Sequence, residues 1–456
     1  YDTSEATGRN RLTSVQECGA DGACTLPTRF HYGKVETGFE EVNTKIAAPL
    51  SQLASPLVAD FNGDGLSDVW MPDVIAGVST QSMPLTQWRI VQSKGNGFAS
   101  AQTAFVQGWS FNQNPSGPED PAFIQPEMGT AIPYGPDSRM GVLLHDVHGN
   151  RNHHIVLLSK PDGTFEEIDT GVERPFPLGP APKQLRSAGA SVHLAAVTPG
   201  GMPSLIQCDD HFKFPRPFTW TLHAWKPDGF DLAGTIIDTL DEVPCDTEMH
   251  TIDIDADGIV DLVVPGLTKV GGQSGVATGV YVVHSRRSDG LWEAHETTLH
   301  TPPAGQRTLF VDVNGDGLPD AVNADVSGRL WTWTNTGKGF SDKGKYSVQW
   351  DGLFPQHTYL HLATTADFDG DGRGDILLPM FDASTENIPR WVILRGVGTS
   401  GEFTFERSGA GIPFEAQLGD AVTIADPRGP RVGDFDGNGT PVVAIFLGNE
   451  LHIFRN

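Results

Sequence analysis

The sequence predicts an all-β fold: a seven-bladed β-propeller of four-stranded blades with calcium-binding loops, its ring closed by an N-terminal strand. Three observations carry this. An acidic turn motif recurs along the chain, apolar extended runs flank each copy, and no comparable run with helical period and caps is present.

The motif is D-x-[DN]-x-D-G-x-x-D, complete from Asp60 to Asp68, Asp253 to Asp261, Asp312 to Asp320 and Asp367 to Asp375. Oxygen side chains at its first, third and fifth positions, with a glycine allowing a tight turn, wrap one hard cation such as Ca²⁺. An EF-hand begins alike but needs a bidentate Glu at its twelfth position. Here that position is Leu378, inside the apolar run ILLPM, which reads as a strand. The last acid comes instead at the ninth position, at the mouth of that strand, so the loop joins two strands.

The expected ligands are Asp60, Asn62, Asp64, the Leu66 carbonyl and Asp68 in the first loop, and Asp253, Asp255, Asp257, the Ile259 carbonyl and Asp261 in the second. The third loop offers Asp312, Asn314, Asp316, the Leu318 carbonyl and Asp320. The fourth offers Asp367, Asp369, Asp371, the Arg373 carbonyl and Asp375. A fifth Ca²⁺ is open at Asp434, Asp436 and Asn438, where Val442 takes the ninth position. Asp146 to His154 (DVHGNRNHH) and Val197 to Ser204 (VTPGGMPS) keep the turn composition without the ligands.

Intact and decayed copies start at 60, 146, about 197, 253, 312, 367 and 434, which implies seven units. Each unit continues with an apolar strand, a Gly-containing turn and a further extended stretch, as in WRIVQSKGNGF and LWTWTNTGKGF. Four short strands per unit of this length make a propeller blade. The last unit lacks its final strand, and KVETGFEEV (Lys34 to Val42) offers one, so Gly38 to Val42 is expected to close the ring. Residues 1–33 then form an N-terminal strap with a cysteine pair, and 34–456 the propeller, with a loop insertion at 105–135.

These repeats resemble the FG-GAP/VCBS calcium-binding propeller repeats, the type that forms the seven-bladed head of integrin α-subunits. Tyr1 to Gly33, YDTSEATGRNRLTSVQECGADGACTLPTRFHYG, resembles the segment leading into the propeller of SpvB-like and Tc-toxin B-component proteins, relatives of the RHS/YD-repeat shells. That resemblance implies a binding and assembly module, within a larger toxin-like polypeptide or complex, whose propeller joins a translocation pore and gates a cocoon. A long YD-repeat tract that would build a cocoon is not in this sequence, so the chain would not carry a cargo by itself.

Composition fits a secreted, all-β scaffold. The 456 residues include 53 Gly and 33 Pro for turns, and 57 acidic against 31 basic residues give a formal charge of −26. Such acidity argues against nucleic acid or an anionic membrane as partner. No apolar stretch of about 18 residues exists to span a bilayer. The missing initiator Met and leader suggest a processed product or a piece of a larger protein. The four cysteines group as Cys18 with Cys24 and Cys208 with Cys245. They would be disulfides in an oxidising compartment and small core residues in a reducing one.

Three further clusters are candidates for function. The insertion Phe105 to Gly135 bears Trp109, Phe111, Phe123 and Tyr134, either as a partner-binding loop or packed on its own blade. HDVHGNRNHH carries His145, His148, His153 and His154, a transition-metal set or, as favoured, the polar turn of a decayed loop. Asp209, Asp210, His211 and His250 are an alternative site near the axis. Arg373-Gly374-Asp375 is read as part of the metal loop rather than an adhesion tag, and the Asn438-Gly439-Thr440 sequon as chance. Ser-His-Asp order, a phosphate loop and H-E-x-x-H are missing. Binding of a protein partner or glycan is thus favoured over catalysis. The alternative is a ligand-processing propeller, a lectin or a lyase or cyclase, with its site in the axial funnel.

Overall fold

The computed structural model describes residues 2–3, 10–11, 14–15, 28–29, 40–47, 56–75, 85–100, 102–107, 129–134, 139–145, 153–160, 164–173, 192–209, 218–241, 243–245, 247–267, 277–302, 307–325, 329–341, 343–348, 360, 363–381, 389–399, 402–413, 430–447 and 450–455. Seven antiparallel four-stranded sheets are the blades. Blade 1 is Leu57–Ala59, Asp68–Ile75, Leu85–Val91 and Gln102–Gln107. Blade 2 is Thr130–Tyr134, Arg139–His145, His153–Ser159 and Phe165–Glu173. Blade 3 is Val192–Ala195, Ser204–Asp209, Thr219–His223 and Thr235–Ile236. Blade 4 is His250–Ile252, Asp261–Leu267, Ala277–Arg286 and Trp292–His300. Blade 5 is Leu309–Val311, Asp320–Ala324, Leu330–Trp333 and Lys345–Val348. Blade 6 is Thr364–Ala366, Asp375–Phe381, Pro389–Thr399 and Glu402–Pro413. Blade 7 is Arg431–Gly433, Val442–Leu447 and Glu450–Arg455, and its fourth strand is Glu40–Ala47 from the start of the chain. Among the described residues there is no α-helix; a 3-10 turn spans Asp238–Leu240.

Side chains alternate across a strand, so a blade with neighbours on both faces must be apolar at consecutive positions. The ILLPM run does this: Ile376 and Leu378 join the core shared with blade 5, while Leu377 joins the core shared with blade 7. Seven such cores exist, one between each pair of neighbours. An open row of seven blades would have six. The additional core places Val69, Met71 and Val91 of blade 1 against Phe435, Val442 and Ala444 of blade 7. First strands of neighbouring blades approach within 8 Å, as in blades 7 and 1, 1 and 2, and 3 and 4, and they surround the axis.

The expected insertion is shorter than its sequence suggested. Its ends belong to strands, Gln102–Gln107 of blade 1 and Thr130–Tyr134 of blade 2. Tyr134 is buried, edge-on to Trp225 and Phe230 at 4.7 and 6.0 Å, so it is a core residue and not part of a partner surface. Its hydroxyl-bearing ring fills the space between blade 2 and a small hairpin, Trp225–Lys226 with Gly229–Phe230. Trp109, Phe111 and Phe123 lie outside the described residues.

Blade 3 has a two-residue outer strand, and Cys208 and Cys245 form a disulfide there. The bond ties its second strand to the segment after the 3-10 turn. Cys18 and Cys24 lie outside the described residues. A 37-residue separation makes the cross-link worth about 2–4 kcal/mol. Replacing both Cys208 and Cys245 by serine should therefore lower the denaturant midpoint by a corresponding amount with the β-sheet circular dichroism retained. An unchanged midpoint would count against it.

Candidate functional site

Each complete acidic motif forms the turn between the first and second strands of blades 1, 4, 5 and 6. The first aspartate curls inward because the amides after it converge on its carboxylate. In blade 1, Gly63 N and Asp64 N donate to Asp60 Oδ1 at 2.7 and 3.1 Å, and Gly65 N to Oδ2 at 2.8 Å. Asp64 N also donates to Asn62 Oδ1, and Leu66 N to Asp64 Oδ1, both at 2.9 Å. The other loops repeat this wiring around Asp253, Asp312 and Asp367. The fourth position needs a left-handed backbone, which Gly63, Gly315 and Gly370 adopt at φ 71–77°. Blade 4 has Ala256 there, at φ 57°.

The ninth aspartate is the most constrained group of the loop. Asp68, Asp320 and Asp375 are fully buried, and Asp261 nearly so. One oxygen accepts the amide of the second loop residue: Phe61 N to Asp68 at 3.1 Å, Ile254 N to Asp261 at 3.1 Å, Val313 N to Asp320 at 3.2 Å, Phe368 N to Asp375 at 2.8 Å. The other accepts an amide just past the core of the third strand, from Ser93, Asn335 or Gly396 at 2.9, 2.7 and 2.9 Å. In blade 4 the Ser285 hydroxyl takes this part. Burial, followed by the neighbouring carboxylates, drives these acids up from 3.8, to about 7 for Asp68, 6 for Asp261, 7 for Asp320 and 8 for Asp375.

Do these residues fit a cation? Every donor is a hard oxygen. In blade 4 one oxygen each of Asp253, Asp255 and Asp261 lies within 4.8 Å of the others, and in blade 6 the same holds for Asp367, Asp369 and Asp375. That spacing is of the order that oxygens sharing one Ca²⁺, each about 2.3–2.6 Å from it, would have. The fit is good. In blade 7 Asp434 keeps the inward turn, with Gly437 N and Gly439 N donating at 2.7 and 2.9 Å, but Val442 is buried where the ninth carboxylate would be.

Two features escaped the sequence reading. The second loop residue, Phe61, Ile254, Val313, Phe368 or Phe435, is buried and plugs the core toward the next blade, a signal present as a recurrent apolar letter inside an acidic turn. Arginines also approach two loops from outside the motif. Arg395 Nε is 3.6 Å from Asp369 Oδ2, and Arg455 Nε is 3.6 Å from Asp436 Oδ2. Within the motif Arg373 Nε donates to Asp371 Oδ2 at 3.1 Å, and Arg373 and Asp375 are buried, so the Arg-Gly-Asp tripeptide is not displayed.

The histidine cluster does not converge where it is described. His153 pairs with Asp169 at 3.0 Å, whereas the fully buried His154 bonds Gln207 of blade 3 at 2.9 Å. His148 lies outside the described residues. Of the axial set, Asp210 and His211 also lie outside them, and Asp209 ends the second strand of blade 3. His250 enters the first strand of blade 4, at the end of the disc away from the acidic loops. It is buried beneath Phe310, with ring centroids 4.9 Å apart, and its Nε2 is 3.5 Å from Glu248, which stands 3.6 Å from Arg307. Burial, then Arg307 and His193, lowers its pKa to about 4, so the ring is neutral. Its electrostatic partners are therefore Glu248, Arg307 and His193, none of which the sequence singled out.

Fold and site together define a seven-bladed β-propeller with metal-type acidic turns between its first and second strands. Residues 312–378 match the family model of the FG-GAP-like repeat, from the blade 5 loop to the second strand of blade 6. No curated protein matches the chain. Among solved structures, it is similar to an Agrocybe aegerita lectin that specifically recognises non-reducing terminal N-acetylglucosamine. That pair is 14% identical, covers 77% of this chain and 78% of the other, and has a TM-score of 0.48. AofleA from Arthrobotrys oligospora is 13% identical over 84% of this chain and 94% of its own, with a TM-score of 0.35. The GH43 protein BlXynB from Bacillus licheniformis is 12% identical over 88% and 85%, with a TM-score of 0.24.

The raised carboxyls set a sign for pH. With folded values near 6 to 8 against 3.8 ordinarily, the metal-free folded chain holds more protons than the unfolded one between about pH 4 and 8. Their contribution is fully present below that window and is lost as pH rises through it. In a chelator, Tm should fall from pH 5 to 8, and added calcium should flatten or reverse the slope; a flat profile in chelator contradicts this. A separate expectation concerns Ala256→Gly, which relieves a left-handed alanine and should stabilise by about 1 kcal/mol, measured by chemical denaturation.

Proposed function

We propose that this chain is a secreted binding and assembly module, a rigid disc stabilised by Ca²⁺ in the loops of blades 1, 4, 5 and 6, that docks a protein partner or glycan. The observation that carries the calcium reading is that in blades 4 and 6 the first, third and ninth carboxylates each bring an oxygen within 4.8 Å of the others, the ninth held in the core, and that blades 1 and 5 repeat the turn with Asn at the third position. The Cys208–Cys245 bond supports an oxidising, extracellular location. Acids committed to a cation on a backbone held by so many turns are poorly placed to adapt to a partner. The docking surface is therefore assigned to the opposite end of the disc, where the connection bearing Trp109, Phe111 and Phe123 enters blade 2. Assembly of a Tc-toxin type, suggested by Tyr1 to Gly33, is one form this docking would take.

A second reading is a ligand-processing propeller, and one observation favours it. Neutral His250, with Glu248 and Arg307 beside it, groups acid, base and cation at that same end. Glu248→Gln with Arg307→Gln separates the two readings: loss of ligand turnover or glycan binding with partner docking intact supports processing, and the converse supports docking.

Metal analysis after dialysis against millimolar calcium should find about four equivalents per chain, and one or none would sink the calcium reading. A cation that binds only the folded state at a hundredfold excess over Kd stabilises by about 2.7 kcal/mol. Chelation should thus lower Tm markedly, Asp255→Ala should reproduce part of the loss, and Asp146→Ala should not.

A further inference from the structure

We infer that Arg395 and Arg455 are tethered counter-ions that occupy the charge role of the metal in blades 6 and 7, so that the blade 6 loop, despite its four aspartates, binds Ca²⁺ more weakly than those of blades 1, 4 and 5. This rests on the calcium reading above. Both arginines come from the same place in their blades, near the end of the third strand. Arg395 immediately precedes Gly396, whose amide holds the ninth carboxylate, Asp375, at 2.9 Å. The residue before the corresponding amide is Gln92 in blade 1 and Thr334 in blade 5. In blade 4, His284 precedes Ser285 and is buried and uncharged. Among the described residues no basic side chain forms an ion pair with the acids of these three loops.

Blade 6 differs further. Arg373, at the seventh loop position, is paired to Asp371 at 3.1 Å, so the chain itself brings two guanidinium groups to four aspartates. Water does little to screen them: the side chains of Arg373, Asp371, Arg395 and Asp369 are only 9, 11, 13 and 12% exposed. A Ca²⁺ seated on Asp369 would sit within a few ångströms of Arg395, and like charges at such range in a poorly solvated site repel strongly. The Arg395 guanidinium thus stands 3.6 Å from the third-position carboxylate, one of the three acids that a cation would share. In blade 7, Arg455 stands 3.6 Å from Asp436 likewise, and Val442 replaces the ninth carboxylate, so among the described residues its arginine is the cation that meets the acids of this loop.

The test is calorimetric titration of Ca²⁺ into the chelator-stripped full chain, comparing wild type with Arg395→Met and Arg395→Lys. Wild type should show three tighter sites and a weaker fourth. Arg395→Met should tighten the fourth by at least about tenfold, 1.4 kcal/mol, and Arg395→Lys, which keeps the charge, should leave it weak. An unchanged isotherm in Arg395→Met overturns the inference and leaves the calcium reading standing. No calcium uptake by wild type overturns both. If the methionine variant does not survive stripping, calcium release from calcium-purified protein into a chelating dye decides the matter: release slower than from wild type supports the inference, and equal or faster release overturns it.

Discussion

A carboxylate buried in the sheet at the ninth loop position is the interaction on which the acidic blades depend. In blades 1, 5 and 6 its two oxygens accept amides, one from the loop and one from the third-strand segment, and in blade 4 the Ser285 hydroxyl replaces the latter, so three stretches of chain meet on one group. Hydrogen bonds then carry the connection between blades. Ser93 Oγ donates to the Phe435 carbonyl of blade 7, and Asn335 Nδ2 to the Ile254 carbonyl of blade 4 at 2.7 Å. The residue before the ninth aspartate reaches back as well: Ser67 N to Asp434 O at 2.7 Å, Gly374 N to Asp312 O at 2.6 Å and Val260 N to Ala196 O at 2.8 Å. Burying a carboxylate costs several kcal/mol unless its charge is met. The same group that organises the turn thereby creates its demand for a proton or a cation.

Blades 2 and 3 have no such carboxylate and are joined by neutral means. Gln207 of blade 3 receives His154 of blade 2 on its carbonyl oxygen and gives its amide to the Glu173 carbonyl and to His223 Nε2. His223 must then be a neutral acceptor there, its Nδ1–H donating to the Asp231 carbonyl at 2.8 Å, in keeping with a pKa lowered by burial. The disulfide within blade 3 adds a covalent tie. One ring thus uses buried carboxylates that gather backbone amides, carboxylate–arginine pairs, an amide–imidazole network and a disulfide for the same problem of fastening strands.

The two ends of the disc differ in consequence. Acidic turns, rigid and internally bonded, occupy one. The other gathers the segments that enter the first strands, with His250, Glu248 and Arg307 in contact there. Closed-ring geometry produces this division because all first strands run the same way along the axis.

Sequence alone determined the blade count, the four-strand unit and the intact acidic loops, because these depend on local rules: turn chemistry at fixed offsets and alternation along a strand. It also marked blades 2 and 3 as different through DVHGNRNHH and VTPGGMPS. What only the tertiary structure decided are relations between residues far apart in the chain. Tyr134 read as an exposed aromatic of a long insertion, and it is core because the Trp225–Phe230 hairpin of the next blade covers it. Arg395 is 26 residues beyond Asp369, with no motif to link them, and the third strand brings it onto the carboxylate. Arg307, 57 residues beyond His250, reaches Glu248 beside that histidine only because blades 4 and 5 pack together. Local pattern specifies what each blade is, whereas charge compensation arises where blades and strands meet, and those meetings are set by closure of the ring.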